Sequence, residues 1–302
     1  MAKGVLIVAV CFAVLAHASV RLQANQQVVT QDMVDQINSS ASWKASMDWV
    51  NDMTVGEAAK LLGGHREPHN FPQFKLNALA QYLTVPASFS WQGNACVGPI
   101  RNQGDCGSCW AFGAAESFSD RVCMGTNAGA PIVLSPQWLV SCDGGLFGND
   151  GCGGGFLSRV WSYLESHGIP LDSCVPYTSG DNDESGSCPK SENCSFYKAT
   201  GVTAYDGPAN IQAGLLEGGP VETCFDVYQD FMSYSSGVYV HTTGSYLGGH
   251  CVKMLGWGNQ NGTNYWIVAN SWGTTWGQEG VFWIEFGQCG IDTEAMAGKY
   301  SA

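Results

Sequence analysis

The segment Gln103-Gly-Asp-Cys-Gly-Ser-Cys-Trp-Ala-Phe112 decides the fold of this 302-residue chain. Its second cysteine, Cys109, opens a stretch whose apolar residues recur at helical spacing, which predicts a helix over 110–123. A cysteine attacks a carbonyl carbon only as a thiolate, and the N-terminus of a helix lowers the pKa of a thiol placed there. The pattern favours a nucleophile at the start of a helix, whereas a lone cysteine would also fit a disulfide.

The segment resembles the papain and cathepsin family, whose signature around the nucleophile is C-G-[SA]-C-[WY]. Cys106-Gly-Ser-Cys109-Trp110 matches it at every position. The resemblance implies that Cys109 is the nucleophile and that Gln103 places its side-chain amide in an oxyanion hole beside the Cys109 backbone N–H. A thioredoxin-like pair of Cys106 and Cys109 would need a βαβ context, and a zinc site would need a downstream Cys/His pair, neither of which the sequence offers.

The family also requires a distant histidine and asparagine. His250 follows Cys109 by about 140 residues, and Asn270 follows it by about 160, slightly beyond the family's usual interval of roughly 130–150. The resemblance implies that His250 is the base and that Asn270 orients its ring. It also implies that Trp272 shields their contact from water.

Two other histidines compete for the role of base. His167 follows a predicted helix and precedes Gly-Ile-Pro, so we expect a surface cap there. His241 begins His-Thr-Thr-Gly, a polar turn, and we expect it to face solvent.

A glycine-rich segment and an acidic residue are candidates for substrate binding. Gly151-Cys-Gly-Gly-Gly155 resembles the family's G-C-N-G-G, which implies that Gly154 and Gly155 pair with an extended substrate. Here Gly153 replaces the usual asparagine, and a flexible turn without contacts is the alternative. Within the family the chain is most similar to cathepsin B, through segments such as Ile291-Asp-Thr-Glu294.

That likeness implies that Glu294 lies at the base of the pocket for the second residue before the scissile bond, where a carboxylate can bind arginine. An exposed acid near the C-terminus is the alternative. Cys224 and Cys251 fall where relatives carry small apolar residues lining the same pocket.

One departure from cathepsin B concerns exopeptidase activity. The resemblance places cathepsin B's histidine-containing occluding loop between Cys174 and Cys188, where this chain has a short acidic stretch without histidine. An acidic loop would repel a substrate's terminal carboxylate. We therefore expect an open cleft and endopeptidase action.

The resemblance also implies four disulfides: Cys96–Cys123, Cys106–Cys152, Cys142–Cys188 and Cys174–Cys194. Cys109 stays free, and Cys224, Cys251 and Cys289 remain. Because bonding depends on Cα separation, the sequence leaves open whether Cys224 and Cys251 are bonded or are two thiols.

Charge and composition divide the chain into segments. Residues 1–83 hold six basic and six acidic residues, so the formal charge of −13 resides in 84–302. Residues 1–18 have the pattern of a signal peptide ending in Ala-His-Ala, with an apolar run too short for a membrane anchor. We expect a pro-segment over 19–83 and a mature peptidase over 84–302. An N-terminal subdomain that is never removed is the alternative. A signal peptide implies the secretory pathway, with action in a lysosome- or vacuole-like compartment or outside the cell.

The hydrophobic periodicity predicts helices over 31–50 and 55–62 in the pro-segment, and short strands after residue 201. The expected fold is α+β and papain-like, with a helical half, a β-barrel-like half and the active-site cleft between them.

The expected partners are peptide and protein substrates, the pro-segment as an intramolecular inhibitor, and cystatin-like inhibitors. We expect a monomer that requires no cofactor or metal, and the acidic charge disfavours nucleic acid. A catalytically dead relative would have lost Cys109, His250 or Gln103, and all three are present. A peptide ligase on the same scaffold remains open.

Overall fold

The computed structural model describes residues 23–66, 84–145 and 148–300. The expected signal peptide and the expected end of the pro-segment at residue 83 lie outside these ranges. The helices are α1 Gln31–Ser40, α2 Val55–Lys60, α3 Cys109–Thr126, α4 Pro136–Cys142, α5 Leu157–Ser166 and α6 Pro208–Gly218. The strands are β1 Trp43–Ala45, β2 Phe89–Ser90, β3 Ile169–Pro170, β4 Phe196–Tyr197, β5 Thr200–Tyr205, β6 Val221–Tyr228, β7 Tyr234–Tyr239, β8 Tyr246–Gln260, β9 Thr263–Ala269, β10 Val281–Glu285 and β11 Ala295–Lys299. Within the described ranges, no helix combines the length and apolar character needed to cross a bilayer.

Helix α3 is the central element of the helical part and begins where the sequence predicts. Its residues from Cys109 to Cys123 are all buried. Small residues let the strands approach closely, since a Cβ added at Gly113 would lie 2.8 Å from Glu222 Oε1 on β6. The helix ends at Thr126 and is capped by Asn127, whose φ of 51° is left-handed. A close-packed scaffold therefore holds the N-terminus of α3 in place.

The strand-rich part is one nine-stranded sheet. Eight strands follow the order β1-β7-β10-β9-β8-β6-β11-β5, and β2 pairs with β8. The end strands β1 and β5 are not paired with each other in this order, so the sheet is open rather than a closed barrel. The α+β, papain-like architecture is confirmed, with an open sheet in place of the expected barrel-like half.

The predicted helix over 31–50 is wrong in its second half. Helix α1 ends at Ser40, and β1 pairs antiparallel with β7, about 190 residues away. Trp43 is fully buried there, and its indole Nε1 donates to Val240 O at 2.9 Å. Tertiary pairing has overridden the local helical pattern because it buries a tryptophan and satisfies its N–H.

The helical and strand-rich parts are joined by a buried ion pair. Lys253 on β8 places Nζ 2.9 Å from Asp120 Oδ2 and 3.7 Å from Glu116 Oε2, both on α3. A buried charge is tolerated only when it is paired and hydrogen-bonded, so this contact fixes how the helix and the strand meet. It therefore helps to set the position of α3 against the strand that carries His250.

Candidate active site

The thiol of Cys109 lies at the N-terminus of α3. Cys109 is the first residue of this 18-residue helix, is fully buried, and is not disulfide-bonded. The preceding loop is tied down by the Cys106–Cys152 disulfide, and Trp110 Nε1 donates to Gly151 O at 3.0 Å. The first N–H groups of a helix lack acceptors within it and carry partial positive charge. Such a position favours the thiolate once the site is hydrated.

His250 and Asn270 are brought together as predicted. His250 lies in β8 and Asn270 directly follows β9, and His250 Nε2 is 2.7 Å from Asn270 Oδ1. The same Oδ1 accepts from the Ser271 N–H at 2.8 Å, which identifies it as the acceptor and Nε2 as the donor. The ring of Trp272 is centred 4.6 Å from the imidazole.

The side chain of Gln103 is held in one orientation. Its Oε1 accepts from Ser271 Oγ at 2.6 Å, and its Nε2 donates to Cys106 O at 2.8 Å. Nε2 also donates to Leu61 O, in the predicted pro-segment, at 3.0 Å. A carbonyl oxygen of this segment therefore occupies the donor that the sequence assigns to the oxyanion.

The chain after α2 runs through the site in extended form. Gly64 N–H donates to Gly249 O at 2.9 Å, and Gly155 exchanges backbone hydrogen bonds with Gly63 and His65 at 2.8 and 2.9 Å. The bridge between Gly64 and Gly155 is parallel. A Cβ at Gly63 would collide with the Gly107 carbonyl, so only glycine allows this approach. Gly155 therefore pairs with an extended strand, as predicted for substrate.

Gly154, the other predicted backbone contact, also lies against this strand. A Cβ added at Gly154 would be 2.7 Å from Gly63 O. Its φ of 117° is a conformation that side chains rarely adopt. Gly63 and Gly64 follow α2 and are the part of the chain that fits into the cleft.

Burial beneath this strand changes the protonation of the catalytic candidates. Burial raises the pKa of Cys109 to about 11, although backbone hydrogen bonds from Cys251 and Gly63 oppose the shift. Burial likewise lowers the pKa of His250 to about 4, opposed by the contact with Asn270. Both groups are therefore neutral between about pH 4 and 11 in this state.

The residues predicted to line the specificity pocket lie on or next to three neighbouring strands, β8, β6 and β11. Cys224 on β6 lies directly opposite Cys251 on β8, and the two are disulfide-bonded. Glu294 immediately precedes β11, whose Ala295 pairs with Thr223, and Thr223 Oγ1 donates to Glu294 O at 2.9 Å. Cys251 Sγ faces the strand in the cleft, because a Cβ at Gly64 would lie 2.8 Å from it.

All four expected disulfides are present, together with the Cys224–Cys251 bond that the sequence left open. Among the cysteines of the described ranges, Cys109 and Cys289 are unbonded. The arrangement leaves the candidate nucleophile free while five bonds stabilise the body around it.

The two competing histidines do not join the site. His167 is exposed and stacks on Tyr163 with ring centroids 4.5 Å apart. His241 is not the solvent-facing residue we expected, because its Nδ1 lies 3.2 Å from the buried carboxylate of Asp230 and its ring stacks on Tyr228. Asp230 itself gave no sequence signal for this contact.

The comparisons agree with this geometry. The family model "Papain family cysteine protease" matches residues 85–299. A "Gut-specific cysteine proteinase" of Caenorhabditis elegans is 38% identical, with 98% of this chain and 99% of the relative covered. "Cathepsin B-like CP3" of Giardia intestinalis is 44% identical over 72% of this chain and 75% of its own. The solved structure of proCathepsin B S9 from Trypanosoma congolense has a TM-score of 0.81 at 31% identity, covering 91% of this chain and 100% of that one. The chain belongs to the papain family of cysteine proteases, and its relatives include cathepsin B-like enzymes.

Proposed function

We propose that this chain is the proenzyme of a cysteine endopeptidase in which Cys109 is the nucleophile and His250 the base. The observation that carries the proposal is the assembly of an unbonded thiol at a helix N-terminus, a histidine ring fixed by Asn270, and the oriented amide of Gln103. Nucleophile, base, orienting group and oxyanion donor are the parts that acyl transfer requires.

In the processed enzyme the reaction begins with a thiolate–imidazolium pair. Cys109 Sγ attacks the scissile carbonyl carbon, and the resulting oxyanion accepts from Gln103 Nε2 and the Cys109 N–H. His250 then donates its proton to the leaving amine as the C–N bond breaks, which leaves an acyl-enzyme. His250 deprotonates a water that attacks the thioester carbon, the C–S bond breaks to release the acid, and the thiolate–imidazolium pair is regenerated. Asn270 holds the ring in place throughout.

Residues 61–66 act as an inhibitory segment in this proposal. Leu61 O occupies the Gln103 amide, Gly63–His65 occupy Gly155, and the cover over Cys109 and His250 favours their neutral forms. Inhibition is therefore both steric and electrostatic. Removal of the segment hydrates the two groups and lets the ion pair form.

Endopeptidase action is supported by the stretch between Cys174 and Cys188. Its first part is held down, because Gln137 Oε1 accepts from the Ser179 N–H at 3.0 Å and Gly180 O accepts from the Asp105 N–H at 2.8 Å. The acidic residues that follow, Asp181, Asp183 and Glu184, are exposed. A negative rim would repel a terminal carboxylate, so we expect cleavage within chains.

Specificity is assigned to the pocket formed by Glu294 with the disulfide-bonded Cys224 and Cys251. The substrates are peptides and proteins reached through the secretory pathway, in a lysosome- or vacuole-like compartment or outside the cell. A monomer inhibited by cystatin-like proteins completes the proposal.

The test uses acid-processed protein and two fluorogenic dipeptides, Phe-Arg and Arg-Arg. We expect both to be cleaved, and Cys109→Ala to lose at least about 1,000-fold in kcat/KM because the nucleophile is gone. A longer peptide with a free C-terminus, followed by mass spectrometry, should show internal cuts. Stepwise release of C-terminal dipeptides would contradict the endopeptidase assignment, and joined products would indicate a ligase.

A further inference from the structure

Arg66, just beyond the glycines in the cleft, is held by an unusually complete set of acceptors. Its Nε lies 3.4 Å from Asp226 Oδ1, and its Nη1 lies 4.0 Å from Glu294 Oε2. The guanidinium also donates to Cys289 O at 2.9 Å, Thr293 Oγ1 at 3.1 Å and Gly290 O at 3.2 Å. All three nitrogens of the guanidinium therefore contact oxygen atoms of the body, which belong to five residues.

The acceptors belong to the specificity pocket by register. Asp226 lies two residues after Cys224 on β6, so the two side chains share one face of the sheet. Asp226 is paired with Gly249, whose carbonyl accepts from the Gly64 N–H. The Glu294 side chain is 14% exposed and that of Asp226 is 36% exposed. Glu294 thus lies inside the pocket and Asp226 at its mouth.

Gly64 explains how an arginine two residues away can fill this pocket. Gly64 lies over the Cys251 sulfur and has no side chain, so the space beside it stays open. The Arg66 guanidinium lies against Asp226, Gly290 and Glu294, which are on or next to the strands β6 and β11. A Cβ at Gly290 would lie 2.5 Å from Arg66 Nη2, so the pocket wall fits closely around the guanidinium.

We propose that Asp226 is a second specificity-determining residue, which together with Glu294 makes this pocket selective for a guanidinium. The proposal rests on the proposed function and on the arginine-binding role that the resemblance assigns to Glu294, and it adds Asp226 as a second carboxylate that contacts the guanidinium. In the proenzyme Arg66 occupies the place of the substrate arginine. Once Arg66 leaves, the pocket holds two carboxylates and no cation from the chain's pro-segment.

Two carboxylates distinguish arginine from phenylalanine better than one does, because each carboxylate attracts a cation and is left without a hydrogen-bond donor by an apolar ring. A guanidinium can donate to both from different edges, while a phenylalanine ring gives neither an N–H. Asp226 at the mouth is partly screened by water, so its effect is smaller than that of a fully buried charge.

The experiment compares kcat/KM for Arg-Arg and Phe-Arg reporters in processed wild type, Asp226→Asn and Asp206→Asn. Asp206 is exposed and lies outside the pocket. Asp206→Asn therefore removes the same charge as Asp226→Asn without changing the pocket, and it serves as the control. We expect Asp226→Asn to lose about fivefold on Arg-Arg, mainly through KM, with Phe-Arg and the Asp206 variant within about twofold of wild type.

An unchanged Arg-Arg value in Asp226→Asn would overturn the proposal, and so would an equal loss on both reporters, which would indicate a structural role. If wild type cleaved neither reporter, the proposed function would fail on its own. Binding of a labelled Arg-Arg peptide to processed Cys109→Ala chains, with and without Asp226→Asn, would then decide. About fivefold weaker binding supports the subsite, and equal binding rejects it.

Discussion

The proposed pro-segment and the body obtain their stability in different ways. The described pro-segment, 23–66, consists of two short helices and a three-residue strand and contains no cysteine. The body, 84–300, has an 18-residue buried helix, a large sheet and five disulfides. Isolated helices this short are marginal in water. The pro-segment is therefore ordered by the surface of the body, whereas the body is ordered by its own core.

The buried residues of the pro-segment show this dependence. Val28, Ile37 and Trp43 are fully buried and belong to the same hydrophobic cluster as the core of the body. Trp49 stacks on Trp272 with ring centroids 5.3 Å apart. The proposed inhibitory segment is thus anchored at a distance from the nucleophile, by side chains that are buried in the hydrophobic cluster of the body.

The largest expected effect comes from Trp43→Ala. The change removes a buried indole and its hydrogen bond to Val240 O, which costs about 3–5 kcal/mol of docking free energy. We expect limited proteolysis of the unprocessed Cys109→Ala chain to remove the pro-segment much faster, while the body remains intact. Lys44→Ala, an exposed neighbour on β1, is the control. If the protease digested the body and the pro-segment at the same rate, the difference in how the two regions are stabilised would be contradicted.

A smaller effect concerns pH. Burial raises the pKa of Glu116 to about 7 and that of Asp143 to about 6, and holds that of Glu222 well above its usual value. The folded state therefore binds these protons more tightly than the unfolded state. The contribution of Glu116 and Asp143 is complete below about pH 4 and is lost as the pH rises through about 6 to 7, and that of Glu222 is likewise lost as the pH rises. The melting temperature of the body should therefore be lower at pH 7.5 than at pH 5.

Glu222→Gln sharpens this expectation. Glu222 is fully buried on β6, and its Oε2 accepts from Trp161 Nε1 at 2.7 Å, a contact an amide oxygen can keep. Burial keeps Glu222 protonated in the core while the unfolded chain ionises it, and a glutamine needs no proton to enter the core, so the substitution should raise the melting temperature at pH 7.5 by about 2–4 °C per kcal/mol gained. Calorimetry of Cys109→Ala chains measures the melting temperature. The Glu192→Gln variant, which changes an exposed residue, is the control. If the melting temperature of the Glu222→Gln variant fell more between pH 5 and pH 7.5 than that of the parent, the raised pKa of Glu222 would be contradicted.

The catalytic candidates were predictable because their signals are local. Cys109, Gln103, His250 and Asn270 each lie in a short motif, and the small residues after Cys109 indicate a closely packed helix. The Cys224–Cys251 bond could not be inferred from sequence, since it depends on strand register and a Cα separation of 4.0 Å.

The contacts between pro-segment and body were equally hidden in the sequence. Whether Trp43 continues a helix or begins a strand is decided by β7, far along the chain. Arg66 and Asp226 are unremarkable charges until the chain folds and places them 3.4 Å apart. Such pairings are long-range packing outcomes, for which a single sequence carries no periodic signal.

The most direct test of the account is the pH dependence of Cys109 alkylation before and after processing. With a thiol pKa of about 11, the unprocessed chain should react slowly at pH 6 and accelerate about tenfold per pH unit towards pH 10. The processed enzyme should react at least about 100-fold faster at pH 6, with little dependence on pH, because its thiolate is paired with the His250 imidazolium. Peptide mapping separates Cys109 from Cys289. Equal rates and parallel pH profiles in the two forms would contradict the claim that residues 61–66 silence the nucleophile by covering it.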